Sequence, residues 1–265
     1  MGPRCRWLAL LLAALLFCQA VCLAEGGGDG FYDLTALAEV REGEQAVLLV
    51  QRSYYSGETI YKGTTNKPLN GACALHCAAV LISNLRGEAL TGQQVAKANN
   101  RDIRRETSWT PFVSWGKLSS AFHVGVKTQN VAQFSANLKQ RGVKTRERRE
   151  RKLEKILEIF REKAGNTGLI LHFNSSGHLN GSGTHRHAVV LVGYVENGGE
   201  IVDLLVNDSS IPAPGGACVR MSESSLPVSI LGKKKAEKTA AQGESLTLLL
   251  MDYAVSCRWI FEGEE

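Results

Sequence analysis

The residue best placed for nucleophilic chemistry is Cys73, which stands where an irregular stretch containing Gly, Asn and Pro meets an apolar segment. Residues 74–85 are rich in Ala, Leu, Ile and Val and lack Pro and Gly, which predicts a buried helix with Gly87 at its C-cap. A thiol at a helix N-terminus lies near free N–H groups and the positive end of the helix dipole, and both favour the thiolate. We therefore expect Cys73 to be reactive, the alternative being an ordinary buried or disulfide-bonded cysteine.

A general base and an orienting group are found on two later apolar segments. His187 opens an apolar run to residue 195, and a second run at 201–206 follows Gly198 and Gly199, which predicts a β-hairpin. Asn207 and Asp208 end the second strand and so come to lie beside the start of the first. Either side chain can accept the second imidazole N–H and fix the tautomer of the ring. Strand register decides which of the two faces the histidine.

The order of these residues along the chain is typical of a thiol hydrolase, in which a cysteine at a helix start precedes a distant histidine and an Asn or Asp. Cys77 is a second candidate for the nucleophile. It lies one turn further along the predicted helix among apolar residues, where the pKa of a thiol rises and its reactivity falls. We therefore expect Cys77 to have a packing role.

A metal site is an alternative interpretation, because His178, His185 and His187 fall within ten positions and a His-x-His pair can bind zinc. Such a site would need a further ligand such as Cys73 or Asp208. The sequence contains no His-Glu-x-x-His or Cys-x-x-Cys pair to support it. We therefore expect neither a metal nor another cofactor.

The elements that must position these residues come as helices first and strands later. Helices are predicted at 74–85, 90–98, 115–122 and 144–163, the last from an apolar stripe at i, i+3, i+4 and i+7. Strands are predicted at 169–173, 187–195, 201–206, 246–251 and 257–261, and the Lys-rich segment 233–244 is predicted as an exposed loop. The pattern predicts an α+β protein whose N-terminal helices pack on a C-terminal antiparallel sheet.

Composition and the N-terminus place the chain among secreted globular proteins. Of its 265 residues, 44% are hydrophobic and 22% are charged. Residues 1–24 have the features of a secretory signal peptide, because Arg4 and Arg6 precede an apolar run that ends at Ala24 before Glu25. We expect removal of this segment and no stable membrane insertion afterwards, a signal-anchor helix being the alternative. An N-terminal segment, 25–59, and one domain, 60–265, with a loop near 232–244 then remain.

Charge and cysteine content argue against a nucleic-acid-binding protein and against a disulfide scaffold. Removal of Arg4 and Arg6 with the signal lowers the formal net charge from +5 to +3, which is too mild to indicate nucleic-acid binding. Three of the seven cysteines lie in the signal, so the mature chain is not a disulfide scaffold. Cys218 and Cys257 are a possible disulfide pair. The sequence carries no signal for an oligomeric state.

Three motifs resemble those of papain-like cysteine peptidases, most closely the bacteriocin-processing type that acts on double-glycine leaders, and its secreted relatives. The segment Cys73-Ala-Leu-His-Cys-Ala-Ala-Val-Leu resembles the nucleophile helix of that group. His187-Ala-Val-Val-Leu-Val-Gly-Tyr is similar to its His-apolar-Gly-Tyr strand, and Asn207-Asp-Ser to its Asn-Asp-Pro. The helix around 118–122 and the strand around 169–173 also fit, so the resemblance spans roughly residues 60–210.

The resemblance implies a papain-like fold in which Cys73 attacks a carbonyl, His187 relays the proton and Asp208, or alternatively Asn207, orients His187. The glutamine that helps to bind the oxyanion in this family has no counterpart here. Asn66 or Asn70 is the expected substitute, with the backbone N–H of Cys73 as the other donor. The substrate implied is a peptide or protein. The alternatives are a thiol amidase or acyltransferase on the same fold, and a catalytically inactive papain-fold binding protein.

Overall fold

A computed structural model describes residues 30–55, 58–61, 68–69, 71–99, 113–179 and 186–263 of the chain. The signal peptide predicted at 1–24 and the oxyanion candidates Asn66 and Asn70 lie outside these residues, as does His185. Within the described ranges, no helix has the length and apolar character needed to cross a membrane.

The helices in the first part of the chain follow the predicted pattern. They are α1 (Cys73–Arg86), α2 (Gly92–Asn99), α3 (Trp115–Phe122), α4 (Val131–Gln140) and α5 (Thr145–Ile159), and α5 continues as a π-helical turn, Phe160–Ala164. Gly87 adopts a φ of 71° and closes α1 as its C-cap, a conformation that glycine takes without steric cost. Helix α4 is missing from the sequence prediction. Its N-cap is Asn130, whose side chain accepts the Gln133 N–H over 2.9 Å.

Two antiparallel sheets are present in the described residues. Strands β1 (Phe31–Asp33) and β3 (Arg52–Tyr54) form the smaller sheet. The larger sheet has the order β4-β9-β5-β6-β7-β8, with β2 paired to the second half of β6. Its strands are β2 (Glu44–Leu48), β4 (Val124–Asn130), β5 (Leu169–Asn174), β6 (Arg186–Asn197), β7 (Glu200–Asn207), β8 (Val219–Arg220) and β9 (Ala254–Glu262). The protein therefore belongs to the α+β class, as predicted.

The large sheet draws on more of the chain than the predicted C-terminal half, because β2 and β4 also join it. Strand β2 pairs closely with β6 at Gly193, where an added Cβ would come within 2.6 Å of the Val47 carbonyl oxygen. The glycine thus permits a close approach of the two backbones. Strand β4 directly follows α3 and pairs with β9 along its whole length.

The prediction is wrong for two segments near the C-terminus. The segment predicted as a loop at 233–244 forms α6 (Lys233–Ala241), and the strand predicted at 246–251 is α7 (Leu246–Leu250). Lys, Glu and Ala are strong helix formers, and α6 buries Ala236 and Thr239 while its other face is solvated. Ser245 caps α7 by accepting the Leu248 N–H over 3.2 Å.

The core lies between α1 and the large sheet, and α1 packs mainly on β6. Eleven of the 14 residues of α1 are buried, so this helix is fixed along almost its whole length. The apolar stripe predicted for the helix at 144–163 is confirmed, because Leu153, Ile156 and Leu157 of α5 and Phe160 of the turn after it are all buried. The packing of α1 on β6 holds the start of α1 near the start of β6.

Candidate active site

Cys73 is the first residue of α1, and its thiol lies near the start of β6. The Ala72 carbonyl accepts the N–H groups of Leu75 and His76 over 2.9 and 3.1 Å, which leaves those of Cys73 and Ala74 outside the helical ladder. The first turn of α1 contains no acidic residue, and no side chain caps it. The positive end of the helix dipole is therefore not compensated by the helix itself, and it favours a thiolate at Cys73.

His187 and Asp208 are brought together by the β6–β7 hairpin. Val190 of β6 pairs with Asn207 of β7, so the residue after Asn207 reaches back toward the start of β6. His187 Nε2 lies 2.8 Å from Asp208 Oδ1, and both side chains are buried, with exposed fractions of 6% and 0%. With Nε2 engaged by the carboxylate, Nδ1 of His187 is the ring nitrogen left for the Cys73 thiol.

Two serines that the sequence analysis did not single out complete the surroundings of the Asp208 carboxylate. Ser210 donates its backbone N–H to Oδ1 over 3.0 Å, and Ser225 donates its backbone N–H to Oδ2 over 2.8 Å. The hydroxyl oxygens of Ser225 and Ser210 lie 3.2 and 3.4 Å from His187 Nε2. A serine two residues after an aspartate, as Ser210 is after Asp208, is a local pattern that favours the first of these hydrogen bonds. Ser225 lies 17 positions from Asp208, and only the fold brings it close.

The backbone at Asp208 is fixed by Tyr55. The Tyr55 hydroxyl donates to the Asp208 carbonyl over 2.6 Å and contacts the Ile211 carbonyl as well. The Asp208 N–H donates to the Gly216 carbonyl over 2.8 Å, which closes the loop after β7. Only glycine fits at position 216, since an added Cβ would lie 1.9 Å from the Tyr55 hydroxyl oxygen. The role of Tyr55 could not be predicted from the sequence, because its hydrogen-bond partners are more than 150 positions away.

Asn207, the alternative orienting residue, faces another part of the molecule. Its Nδ2 donates to Ser53 Oγ over 3.0 Å, and its Oδ1 accepts the Cys218 N–H over 2.9 Å. Both ends of the carboxamide are thus engaged in the core, where they fix the end of β7 to β3 and to the start of β8. The structure places Asp208, and not Asn207, on His187.

The ionisation of the three residues is coupled. Burial alone raises the pKa of the Cys73 thiol, but hydrogen bonding to His187 and to the Ala188 and Ala74 N–H groups outweighs it, so the pKa is lowered. Burial alone lowers the pKa of His187, whereas Asp208 and Cys73 raise it above its usual range. Burial opposes ionisation of Asp208, yet its hydrogen bond to His187 lowers the pKa to about 2. The arrangement favours a thiolate–imidazolium pair beside a carboxylate.

The other cysteines of the described residues, Cys77, Cys218 and Cys257, are buried free thiols. Burial raises the pKa of Cys77 well above the usual value, and the nearby Cys73 and Asp208 add to the shift. Cys218 and Cys257, a possible disulfide pair from the sequence, are not bonded to each other. Cys218 immediately precedes β8 and Cys257 lies in β9, which is four strand spacings, or about 19 Å, across the sheet. Disulfide formation requires Cα atoms within about 7 Å of each other.

A pocket of about 400 Å³ opens beside Cys73 and His187. Trp115, Leu179 and Val255 contribute apolar surface, and His172, Arg186 and Arg258 contribute polar groups. As for the metal alternative, the described part of the chain contains no group of three His, Cys, Asp or Glu side chains that could hold an ion. His178 is exposed at the surface.

Cys73 and His187 thus border one pocket, and Asp208 holds His187 from outside it, an arrangement that could support nucleophilic acyl chemistry. The chain matches no family model, no curated protein and no solved structure. The geometry of the site therefore carries the functional conclusion.

Proposed function

We propose that the protein is a papain-like thiol hydrolase that acts through an acyl-enzyme at Cys73. The observation that carries this proposal is that Cys73 and His187 line the same pocket while His187 is hydrogen-bonded to Asp208. In this arrangement His187 lowers the pKa of the thiol, and Asp208 and Cys73 raise that of the imidazole. A cysteine kept only for packing would show the opposite shift, as Cys77 does on the next turn of the same helix.

The geometry supports a two-step reaction. The Cys73 thiolate attacks the substrate carbonyl, and the protonated His187 transfers its proton to the leaving amine as the tetrahedral intermediate collapses. A water then attacks the thioester with His187 as general base, and the acid is released with the thiolate restored. Asp208 holds the ring in one orientation and stabilises the imidazolium throughout.

Oxyanion stabilisation would come in part from the backbone N–H of Cys73, which is not used by the helical ladder. Asn66 or Asn70 is our candidate for the second donor, because both precede Cys73 closely in the sequence. Loss of one such donor typically lowers kcat by about 10²–10³-fold. Replacing each asparagine by alanine separately would therefore identify the donor.

Peptide or protein substrates are proposed on the sequence resemblance, and the α+β architecture with α1 packed on the antiparallel sheet supports a papain-like fold. The predicted signal peptide suggests that these substrates lie outside the cytoplasm. A thiol amidase or acyltransferase would use the same three residues and differ in the acceptor of the acyl group. An inactive binding protein of this fold would not require a lowered pKa at Cys73.

The test is trapping of the acyl-enzyme. The protein would be incubated with a mixed peptide pool, quenched with acid and examined by intact mass spectrometry and peptide mapping. We expect a thioester on Cys73 that hydroxylamine removes, together with shortened peptides in the supernatant. Added primary amines distinguish a hydrolase, which gives free acids, from an acyltransferase, which gives amides.

Cys73→Ala is the negative control, and Cys77→Ala is the matched control because it removes a buried thiol from the same helix. Cys77→Ala should retain the adduct. Absence of any Cys73 adduct and of any peptide turnover across the pool, with the protein folded, would favour the inactive binding protein.

A further inference from the structure

Arg258 lies in the pocket of Cys73 and is held there by three different contacts. Its Nε donates to Thr128 Oγ1 over 2.8 Å, and its Nη1 donates to His172 Nε2 over 3.0 Å. The guanidinium carbon lies 4.3 Å from the centroid of the Trp115 ring, within range of a cation–π interaction. The group is thus fixed in orientation, and Nη2 takes part in neither hydrogen bond.

None of these contacts neutralises the charge of Arg258. Burial, and then the adjacent Arg258, lower the pKa of His172 to about 3, so His172 is a neutral acceptor at ordinary pH. Among the described residues, no carboxylate interacts with Arg258, and burial lowers its own pKa to about 10. A half-buried cation without an anionic partner is costly, and a bound anion would relieve that cost.

The described lining of the pocket contains guanidinium groups and no carboxylate. Arg186, which is exposed, contributes a second guanidinium to its lining, and no Asp or Glu of the described residues lines it. Trp115 and Leu179 provide apolar surface for the carbon skeleton of a ligand. Guanidinium groups donate charge-assisted hydrogen bonds to carboxylates, and the fixed Arg258 can offer those of Nη2 at low entropic cost.

We propose that Arg258 binds a carboxylate of the substrate, so that the bond attacked by Cys73 lies next to an acidic side chain or a free C-terminal carboxylate. This inference rests on the proposed function and names its substrate class. Both carboxylate sources share the same chemistry toward a guanidinium, and peptides that carry only one of the two carboxylates distinguish them.

The first probe compares iodoacetate with iodoacetamide, which have similar shapes but differ in charge. In either reaction the Cys73 thiolate attacks the methylene carbon, the S–C bond forms, and iodide leaves with the electrons of the C–I bond. The rate of Cys73 alkylation by iodoacetate divided by the rate with iodoacetamide reports anion binding near the sulfur. We expect Arg258→Gln to lower this ratio by roughly tenfold, and Arg258→Lys to lower it less because the charge is kept.

Arg161→Gln is the matched control. Arg161 also stacks on an aromatic ring, that of Tyr194 at 5.0 Å, and donates a hydrogen bond to the Tyr194 hydroxyl, but it does not line the pocket. The iodoacetamide rate itself reports whether each variant keeps a folded and reactive Cys73. Slow iodoacetamide reaction in the wild type would count against the proposed function, whereas an unchanged rate ratio counts against Arg258 alone.

The second probe is protection of Cys73 from iodoacetamide by short peptides. Acetyl-Ala-Glu-amide carries only a side-chain carboxylate, acetyl-Ala-Ala carries only a terminal one, and acetyl-Ala-Ala-amide carries neither. We expect one acidic peptide to protect at concentrations at which the neutral peptide does not, and Arg258→Gln to abolish the difference. Equal protection by all three peptides, or a rate ratio that Arg258→Gln leaves unchanged, would overturn the proposal.

Discussion

His187 and Asp208 are joined by a buried hydrogen bond of 2.8 Å between imidazole Nε2 and carboxylate Oδ1. The carboxylate is fixed by two backbone N–H groups, and its own backbone is fixed by the Tyr55 hydroxyl. A carboxylate held so firmly can set the tautomer and the plane of the imidazole. The reactivity of Cys73 should therefore depend on residues that never touch the thiol.

Asp208→Asn should reduce turnover by about 10²-fold or more, because it removes the charge that raises the pKa of His187 and permits the wrong ring tautomer. The pKa of Cys73 should rise in the same variant, as the imidazolium that favours the thiolate is weakened. Peptide turnover and the pH dependence of Cys73 alkylation measure the two effects. A variant with normal values for both would exclude an orienting role for Asp208.

Asn207→Ala should affect stability more than reactivity. The substitution leaves the Cys218 N–H without its acceptor in the core, at a cost of about 1–3 kcal/mol in the free energy of unfolding, whereas Ser53 Oγ keeps its hydrogen bond from Asn84 Nδ2. Since Asn207 does not contact His187, the alkylation profile of Cys73 should be retained. Urea denaturation and alkylation kinetics test this pair of expectations, and a raised pKa of Cys73 would show that the side chain contributes to the site.

Gly216→Ala should disturb the loop that carries Asp208, because the new Cβ would clash with the Tyr55 hydroxyl and with the carbonyl oxygens of Asp208 and Ile211. We expect a loss of about 1–3 kcal/mol in the free energy of unfolding and slower alkylation of Cys73. Gly215→Ala is the control, since its Cβ would meet atoms only at 3.6 Å. Equal stability of the two variants would contradict the proposed role of this close approach.

Lys152 should make stability depend on pH in the alkaline range. The side chain is 1% exposed and donates to the Met251 carbonyl over 2.7 Å, and burial lowers its pKa to about 8 from 10.5. Between these values the unfolded chain binds more protons than the folded one, so the free energy of unfolding rises with pH. Relative to Lys152→Met, the wild type should gain about 3 kcal/mol between the two values.

Lys163→Met serves as the control for that measurement, because the Lys163 side chain is 55% exposed. Its stability difference from the wild type should stay constant over the same range. Denaturant unfolding followed at several pH values gives the comparison. If the Lys152→Met difference were equally constant, Lys152 would not carry an altered pKa.

The main site residues could be predicted because each stands at the junction of two sequence patterns. Cys73 marks the change from loop to apolar helix, and His187 and Asp208 mark the ends of strands in a hairpin whose turn is defined by two glycines. The choice between Asp208 and Asn207 could not be made from sequence, because it depends on which of the two side chains at the end of β7 points toward His187. The register at Val190 and the loop closed by Gly216 decide it.

Residues that act across long separations escaped prediction for a related reason. Ser225, Tyr55 and Arg258 have no local pattern that marks them, and only the tertiary fold brings them to the site. The error at α6 has a different cause. The Lys- and Ala-rich composition of 233–244 is typical of a low-complexity loop, but the same residues have a high helix propensity. The burial of Ala236 and Thr239 then favours the helix.

The most direct test of the central claim is the pH dependence of Cys73 alkylation by iodoacetamide in the wild type and in His187→Ala, followed by peptide mapping. The wild-type thiol should react as a thiolate at pH values below its usual pKa of about 8.5. His187→Ala should slow this reaction, because it removes the imidazole that lowers the pKa of the thiol. His178→Ala, at an exposed histidine, should leave the profile unchanged. A wild-type Cys73 that reacts only at alkaline pH, as expected for Cys218 and Cys257, or a profile unaffected by His187→Ala, would contradict the account.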